Sequence, residues 1–227
     1  MSKKLLCAAV SALTLACGDY NAVAAEIKEV VIIGNSIRKH GKAPEIGWSN
    51  DWGMAATSQD KDYVHVLYKK ICDKLAQTQK EAPRLSLPGG VVEKDFSKWD
   101  PSVTTNADVI IVQLGDNFRN VANEEELQKP YEAMLKAFKG NRKPILICVS
   151  NWGGGEMSRL IAEAAKHQGA KFVPLGHLSA DPLNKAKSEG HFSHDGVNWH
   201  PGDRGMNAIA AAIWVVLEPE LDKAIAN

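Results

Sequence analysis

Three stretches of the chain are apolar at nearly every position: EVVIIG at residues 29–34, ADVIIVQLG at 107–115 and KPILICVS at 143–150. A strand apolar at consecutive positions is buried on both faces, the pattern of a central strand in a parallel sheet covered on both sides. RLSL at 84–87 and KFVPL at 171–175 are shorter and weaker, and are expected nearer the sheet edges. Between these runs the period becomes helical. DKDYVHVLYKKICDKLA at 60–76 places Tyr63, Val64, Leu67, Ile71 and Leu75 on one helix face. Thr57 and Asp60, three residues apart, are the expected capping pair at its start. EEELQKPYEAMLKAF, EMSRLIAEAAKHQG and DRGMNAIAAAIWVVL supply three further helices, the second ended by Gly169 and the third opened by Pro201 and Asp203. Alternating strands and helices predict an α/β fold, a three-layer α/β/α sandwich with a central parallel sheet. Ligand sites in such sheets lie at the carboxyl ends of the strands.

The first 25 residues depart from this pattern. Lys3 and Lys4 precede the apolar run LLCAAVSALTLAC, and AVAA follows, with Ala22, Val23 and Ala24 as an A-x-A cleavage site; this is the layout of a secretory signal peptide. Residues 26–227 are then expected to form one domain, a length that a single core commonly reaches. Export to the periplasm or the exterior follows, with a lipid anchor at Cys17 as the alternative start of the mature chain. No other apolar run approaches the roughly 20 residues needed to span a bilayer. The 27 basic residues balance the 27 acidic ones, and no basic run is long enough to track a line of phosphates, so nucleic acid is not an expected partner. Cys72 falls in a helical pattern and Cys148 in a strand pattern, which reads as two buried thiols and not a bridge.

Three short segments sit at strand ends and carry residue types that acyl transfer uses. GNSIRKHG, residues 34–41, puts Ser36 in a tight turn leaving the first strand, a place from which a hydroxyl faces a cleft. QLGDNFRN, residues 113–120, puts the Asn117 amide after the next strong strand, where it is a candidate donor to a developing oxyanion. HDGVNWHPGDRGM, residues 194–206, puts His200 before Pro201, in extended or turn backbone at the entrance of the last helix. Singly, each is commonplace: serine and asparagine favour turns, and a lone histidine is most often a surface residue.

Together they resemble the SGNH hydrolases, also called GDSL esterases and lipases. That family carries a GDS turn after its first strand, a GxND segment after a later one, and a DxxHP segment before its last helix. GNS at 34–36, GDN at 115–117 and HPGDRGM at 200–206 match in order and context. The resemblance implies Ser36 as nucleophile, His200 as general base and Asn117 as oxyanion donor, with no cofactor and no metal. It also implies a glycine donor in PGG at 88–90, either Gly89 or Gly90, beside the Ser36 backbone N–H. Asn35 stands where the family has aspartate, and Phe118 where it has a second one. Position 197, three before the histidine, is valine, and the nearest upstream carboxylate is Asp195. Two alternatives stay open: Asp195 orients His200, or the site is a Ser-His dyad held by a backbone carbonyl.

Residues 41–59 form a long Gly-, Asn- and Trp-containing insertion. Asn35, Trp48, Trp52, Trp152 and Trp199 are the expected substrate-binding set, since aromatic faces suit a sugar ring; equally, the tryptophans fasten loops to the domain. The expected activity is a serine esterase acting on an acylated carbohydrate or small ester. A periplasmic polysaccharide O-acyltransferase and a catalytically decayed carbohydrate-binding protein are the alternatives on the same fold.

Overall fold

A computed structural model of the chain describes residues 26–89, 93, 96, 99–118 and 123–226. The leader and Gly90 lie outside the described residues.

Five strands form one parallel sheet: β1 (Glu29–Gly34), β2 (Arg84–Ser86), β3 (Val109–Gln113), β4 (Ile145–Val149) and β5 (Lys171–Val173), in the order β2-β1-β3-β4-β5. The long apolar runs occupy the centre and the two weak ones the edges, as expected. Successive residues of β1 serve opposite layers. Val30 and Ile32 pack with α1 (Tyr63–Leu75) and α6 (Asp203–Ala226), through Leu67, Ile71, Ile209 and Ile213. Val31 and Ile33 pack with α2 (Lys129–Lys139) and α3 (Gly155–His167), through Tyr131, Leu135, Leu160 and Ile161. Both faces are therefore buried, which is why no polar alternation marks these strands.

The five apolar residues expected on one face of α1 are all buried. Its cap, however, is Asp62, whose carboxylate accepts from His65 N at 2.8 Å, and not the Thr57/Asp60 pair. Thr57 is taken by a distant partner: its N–H and hydroxyl donate to Asp203 at 2.8 and 2.6 Å, joining the insertion to the start of α6. Cys148 is buried and Cys72 half-buried, and both thiols are free.

The chain leaves β1 for β2 on one side and returns to β3 on the other, so the strand order reverses between β1 and β3. Gly34 pairs with Gln113 at the carboxyl ends of these two strands. The loops after β1 and β3 thus diverge from one point, the crevice where α/β sheets take ligands. Gly34 is obligatory here, because a Cβ would stand 2.8 Å from Arg38 Cβ and 2.9 Å from the Gln113 carbonyl oxygen. The insertion folds over its own small core of Ala43, Trp48, Met54, Ala55, Ala186 and Val197.

Candidate active site

Ser36 is half-buried in the turn that follows β1. The Arg38 and Lys39 N–H groups donate to the Asn35 carbonyl at 3.0 and 2.9 Å, and Met54 N donates to the Ser36 carbonyl at 2.9 Å. His200 comes from the opposite end of the chain, after the short helices α4 (Gly176–Ala180) and α5 (Asp195–Asn198) and just before α6. Its Nε2 lies 2.8 Å from Ser36 Oγ and its Nδ1 lies 2.7 Å from the Gly196 carbonyl oxygen. A carbonyl only accepts, so Nδ1 carries the proton, Nε2 presents its lone pair, and the serine hydroxyl donates to it. The pair is poised for proton transfer from Oγ to Nε2. His200 is 8% exposed, and burial lowers its pKa to about 4; the Gly196 carbonyl pulls upward and His40 nearby pushes downward.

The orienting carbonyl has a local cause. The one-turn helix α5 leaves its last carbonyls without backbone partners. The ring of His200, four residues on, takes the Gly196 carbonyl in place of a backbone N–H. The segment around 184–189 fixes the rest: Ala186 N donates to the His200 carbonyl at 2.9 Å, and Glu189 accepts from Asp203 N and Arg204 N at 3.0 Å each.

Asn117 is half-buried in the turn after β3, and its side-chain amide makes no hydrogen bond among the described residues. The turn is pinned from outside. Glu93, 3% exposed, accepts from Gly115 N at 2.9 Å and Asn117 N at 2.8 Å, and also from the Asn35 side-chain amide. Asp116 accepts from Gln113 Nε2 and Trp152 N at 2.8 Å each, and burial raises its pKa to about 6. Arg38, buried behind the serine turn, donates through Nη2 to the Gly34 carbonyl at 3.0 Å and the Pro88 carbonyl at 2.8 Å. That bond ties the stretch ending in exposed Gly89 to the nucleophile turn. Among the described residues no group of three or more His, Cys, Asp or Glu is placed to hold a metal ion.

Solved structures share this architecture. A psychrotrophic esterase from Pseudoalteromonas sp., in a structure inhibited by monoethylphosphonate, superposes with a TM-score of 0.54 at 12% identity, over 86% of this chain and 99% of that one. A lipase/acylhydrolase from Enterococcus faecalis gives 0.54 at 13%, over 86% and 97%. A catalytic mutant of an acetylxylan esterase from Geobacillus stearothermophilus gives 0.55 at 14%, over 82% and 92%. The chain has the SGNH-hydrolase fold. No protein-family model matches the sequence, and no curated protein does. At this identity the likeness speaks for the fold alone, and the chemistry of this SGNH-fold chain rests on its own side chains.

Several expected roles change. Of the two alternatives for orienting His200, the structure has the backbone carbonyl: Gly196 O occupies Nδ1, while Asp195 is exposed and its carboxylate makes no hydrogen bond or ion pair among the described residues. Asn35, expected on substrate, turns its amide to Glu93. Trp48 and Trp152 are fully buried, so neither walls a cleft. Trp48 packs edge-on to Trp52 and against Phe192 in the core under the insertion, and Trp152 Nε1 donates to the Trp199 carbonyl at 3.2 Å. Half-buried Trp52 is fastened by its Nε1 to the Ala56 carbonyl at 2.9 Å. These three anchor loops, as so much apolar area favours. Trp199 is 40% exposed, with its ring 5.4 Å from the His200 ring and perpendicular to it. Sequence reasoning missed Gly196, Arg38, Asp116 and Glu93. Arg38, four residues after Gly34 in the quoted serine segment, was the one with a signal, a charge beside an apolar Ile37 in a turn leaving a buried strand.

Proposed function

We propose that this chain is an exported serine esterase that removes acyl groups, most simply acetyl, from a carbohydrate or other small ester through an acyl-enzyme. The reading is carried by the 2.8 Å contact between Ser36 Oγ and His200 Nε2, with the far ring nitrogen already donated to a carbonyl. In this reading Nε2 takes the hydroxyl proton while Oγ attacks the ester carbonyl carbon. The oxyanion receives the Asn117 amide, the Ser36 N–H and the N–H of Gly89 or Gly90. Imidazolium then protonates the departing alcohol oxygen, and water repeats the sequence on the acyl-enzyme, releasing the acid. Losing the Asn117 donor costs on the order of 2.7 to 4 kcal/mol of transition-state stabilisation, as at other oxyanion holes.

Ser36 is half-buried and not fully enclosed, which supports hydrolysis over transfer to a sugar, a reaction that needs water excluded. The exposed face of Trp199 beside the base gives a sugar ring an apolar platform. The names of structural neighbours, an acetylxylan esterase and a two-domain esterase active on acetylated mannans, support an acetylated glycan as substrate. Residues 1–25 supply the export signal.

The mature protein is expected to release nitrophenol from p-nitrophenyl acetate, to accept a phosphonate adduct on Ser36, and to lose both in Ser36→Ala. Unchanged turnover in Ser36→Ala overturns the assignment. Preferential transfer of acetyl to an added sugar over water replaces the esterase by an acyltransferase.

A further inference from the structure

We propose that Glu93 is a positioning residue for this reaction, its carboxylate clamping the nucleophile turn at Asn35 to the oxyanion turn at Gly115–Asn117. The inference rests on the serine esterase reading. Glu93 lies far in sequence from both turns, yet it is almost fully buried exactly where they diverge from β1 and β3. One oxygen, Oε1, accepts from the Asn35 amide; the other, Oε2, accepts from both Gly115 N and Asn117 N. Every partner that the described residues give it is an N–H donor. Burial and the neighbouring Asp116 carboxylate push the Glu93 pKa upward, and the N–H donors oppose them. A buried carboxylate so placed holds its charge through those donors, so displacing it releases both turns together.

The clamp also explains the departure at position 35. The family's aspartate there would set a second carboxylate against Oε1, and like charges at hydrogen-bond distance cannot both ionise. An asparagine is the residue that donates. Restoring GDS in this chain is therefore damaging, and the damage is reversed by moving the amide to the other side. In Asn35→Asp/Glu93→Gln, the glutamine oxygen takes the two backbone N–H groups and its NH2 donates to the new aspartate.

The test compares wild type, Asn35→Asp and Asn35→Asp/Glu93→Gln on p-nitrophenyl acetate from pH 5 to 8, with thermal melts confirming that each is folded. Asn35→Asp is expected to lose about 100-fold in kcat at pH 8 with KM within about threefold, the size of effect seen when one oxyanion donor is misplaced. Its activity rises toward pH 5 as the carboxylate pair takes up a shared proton. The double variant recovers to within about tenfold of wild type and lacks that rise. Wild-type kcat in Asn35→Asp at pH 8, or a double variant no better than the single, overturns the clamp. The Gly115 and Asn117 amide resonances supply a readout free of turnover: both are expected to move together in Asn35→Asp and return in the double variant, and unmoved resonances overturn the clamp. Ser36→Ala in the wild-type background tests the esterase reading separately, so the two failures are distinguishable.

Discussion

The base of this site is expected to stay neutral down to about pH 4, well below the ordinary histidine value of 6.5. The perturbation is acid itself, and its size follows from what surrounds His200. Burial removes water from the ring, and among the described residues the compensation at Nδ1 is the Gly196 carbonyl, a dipole where a triad has a full negative charge. At about 1.36 kcal/mol per pH unit, the gap from the ordinary value sets on the order of 3 kcal/mol against protonating the folded ring. Protonated Nε2 cannot accept the serine proton, so kcat/KM is expected to be level from pH 8 to about 5 and to fall tenfold per pH unit below about 4. Linkage says whether the fold survives that far. The His200 pKa is depressed in the fold, so its contribution is complete above pH 6.5 and is lost as pH falls toward 4, on the order of 3 kcal/mol in all. Asp116 runs the other way: its folded pKa of about 6 exceeds the usual 3.8, so its burial weighs on the fold above pH 6 and is relieved as pH falls, by about 3 kcal/mol. The two act in opposite directions, so the acid loss of activity is expected to follow titration of the base, and a far-UV circular dichroism signal unchanged across the same range checks that the fold persists. The assay is kcat/KM for p-nitrophenyl acetate from pH 3.5 to 8, beside the His200 ring proton resonance over the same range. A His200 resonance with a midpoint at or above pH 6 would refute the reasoning.

Three further outcomes test which groups serve the site and which hold the fold. Asp195→Asn is expected to leave kcat/KM within about twofold, since removing an orienting carboxylate from a working triad costs about 10⁴ and this one orients nothing; a loss of 100-fold or more would return Asp195 to the base. Trp48→Ala is expected to cost about 3 to 5 kcal/mol in urea unfolding, as for a fully buried large aromatic. Trp199→Ala is expected to change stability by no more than about 0.5 kcal/mol while raising KM for acetylated glycans; an unchanged KM would remove Trp199 from the substrate face.

What the sequence disclosed follows from where information is stored. A strand buried on both faces must be apolar throughout, so β1, β3 and β4 were plain, whereas the three-residue edge strands β2 and β5 left faint traces. Ser36, Asn117 and His200 were visible because each follows or precedes an element whose own pattern is strong. The cap of α1 was misplaced because Thr57 answers to Asp203, 146 residues away, and local spacing carries nothing of such a bond. The last helix was expected to end near Leu217, yet it runs through Pro219 to Ala226, because Leu221 beyond the proline is buried in the core and the missing N–H leaves only one helical bond unmade. Tryptophan counts could not say which faces look outward: three of the four candidate rings settle loops, and only the neighbour of the base stays open. Between the two alternatives for orienting the base the sequence could not choose, because a backbone carbonyl is offered by any residue at position 196. The consequence is chemical: a neutral acceptor selects the tautomer as a carboxylate does, but it leaves the buried imidazolium without a counter-charge. The depressed basicity of His200 and the silence of Asp195 are therefore one fact seen from two sides, and a carboxylate brought to Nδ1 would have to raise the one as it ended the other.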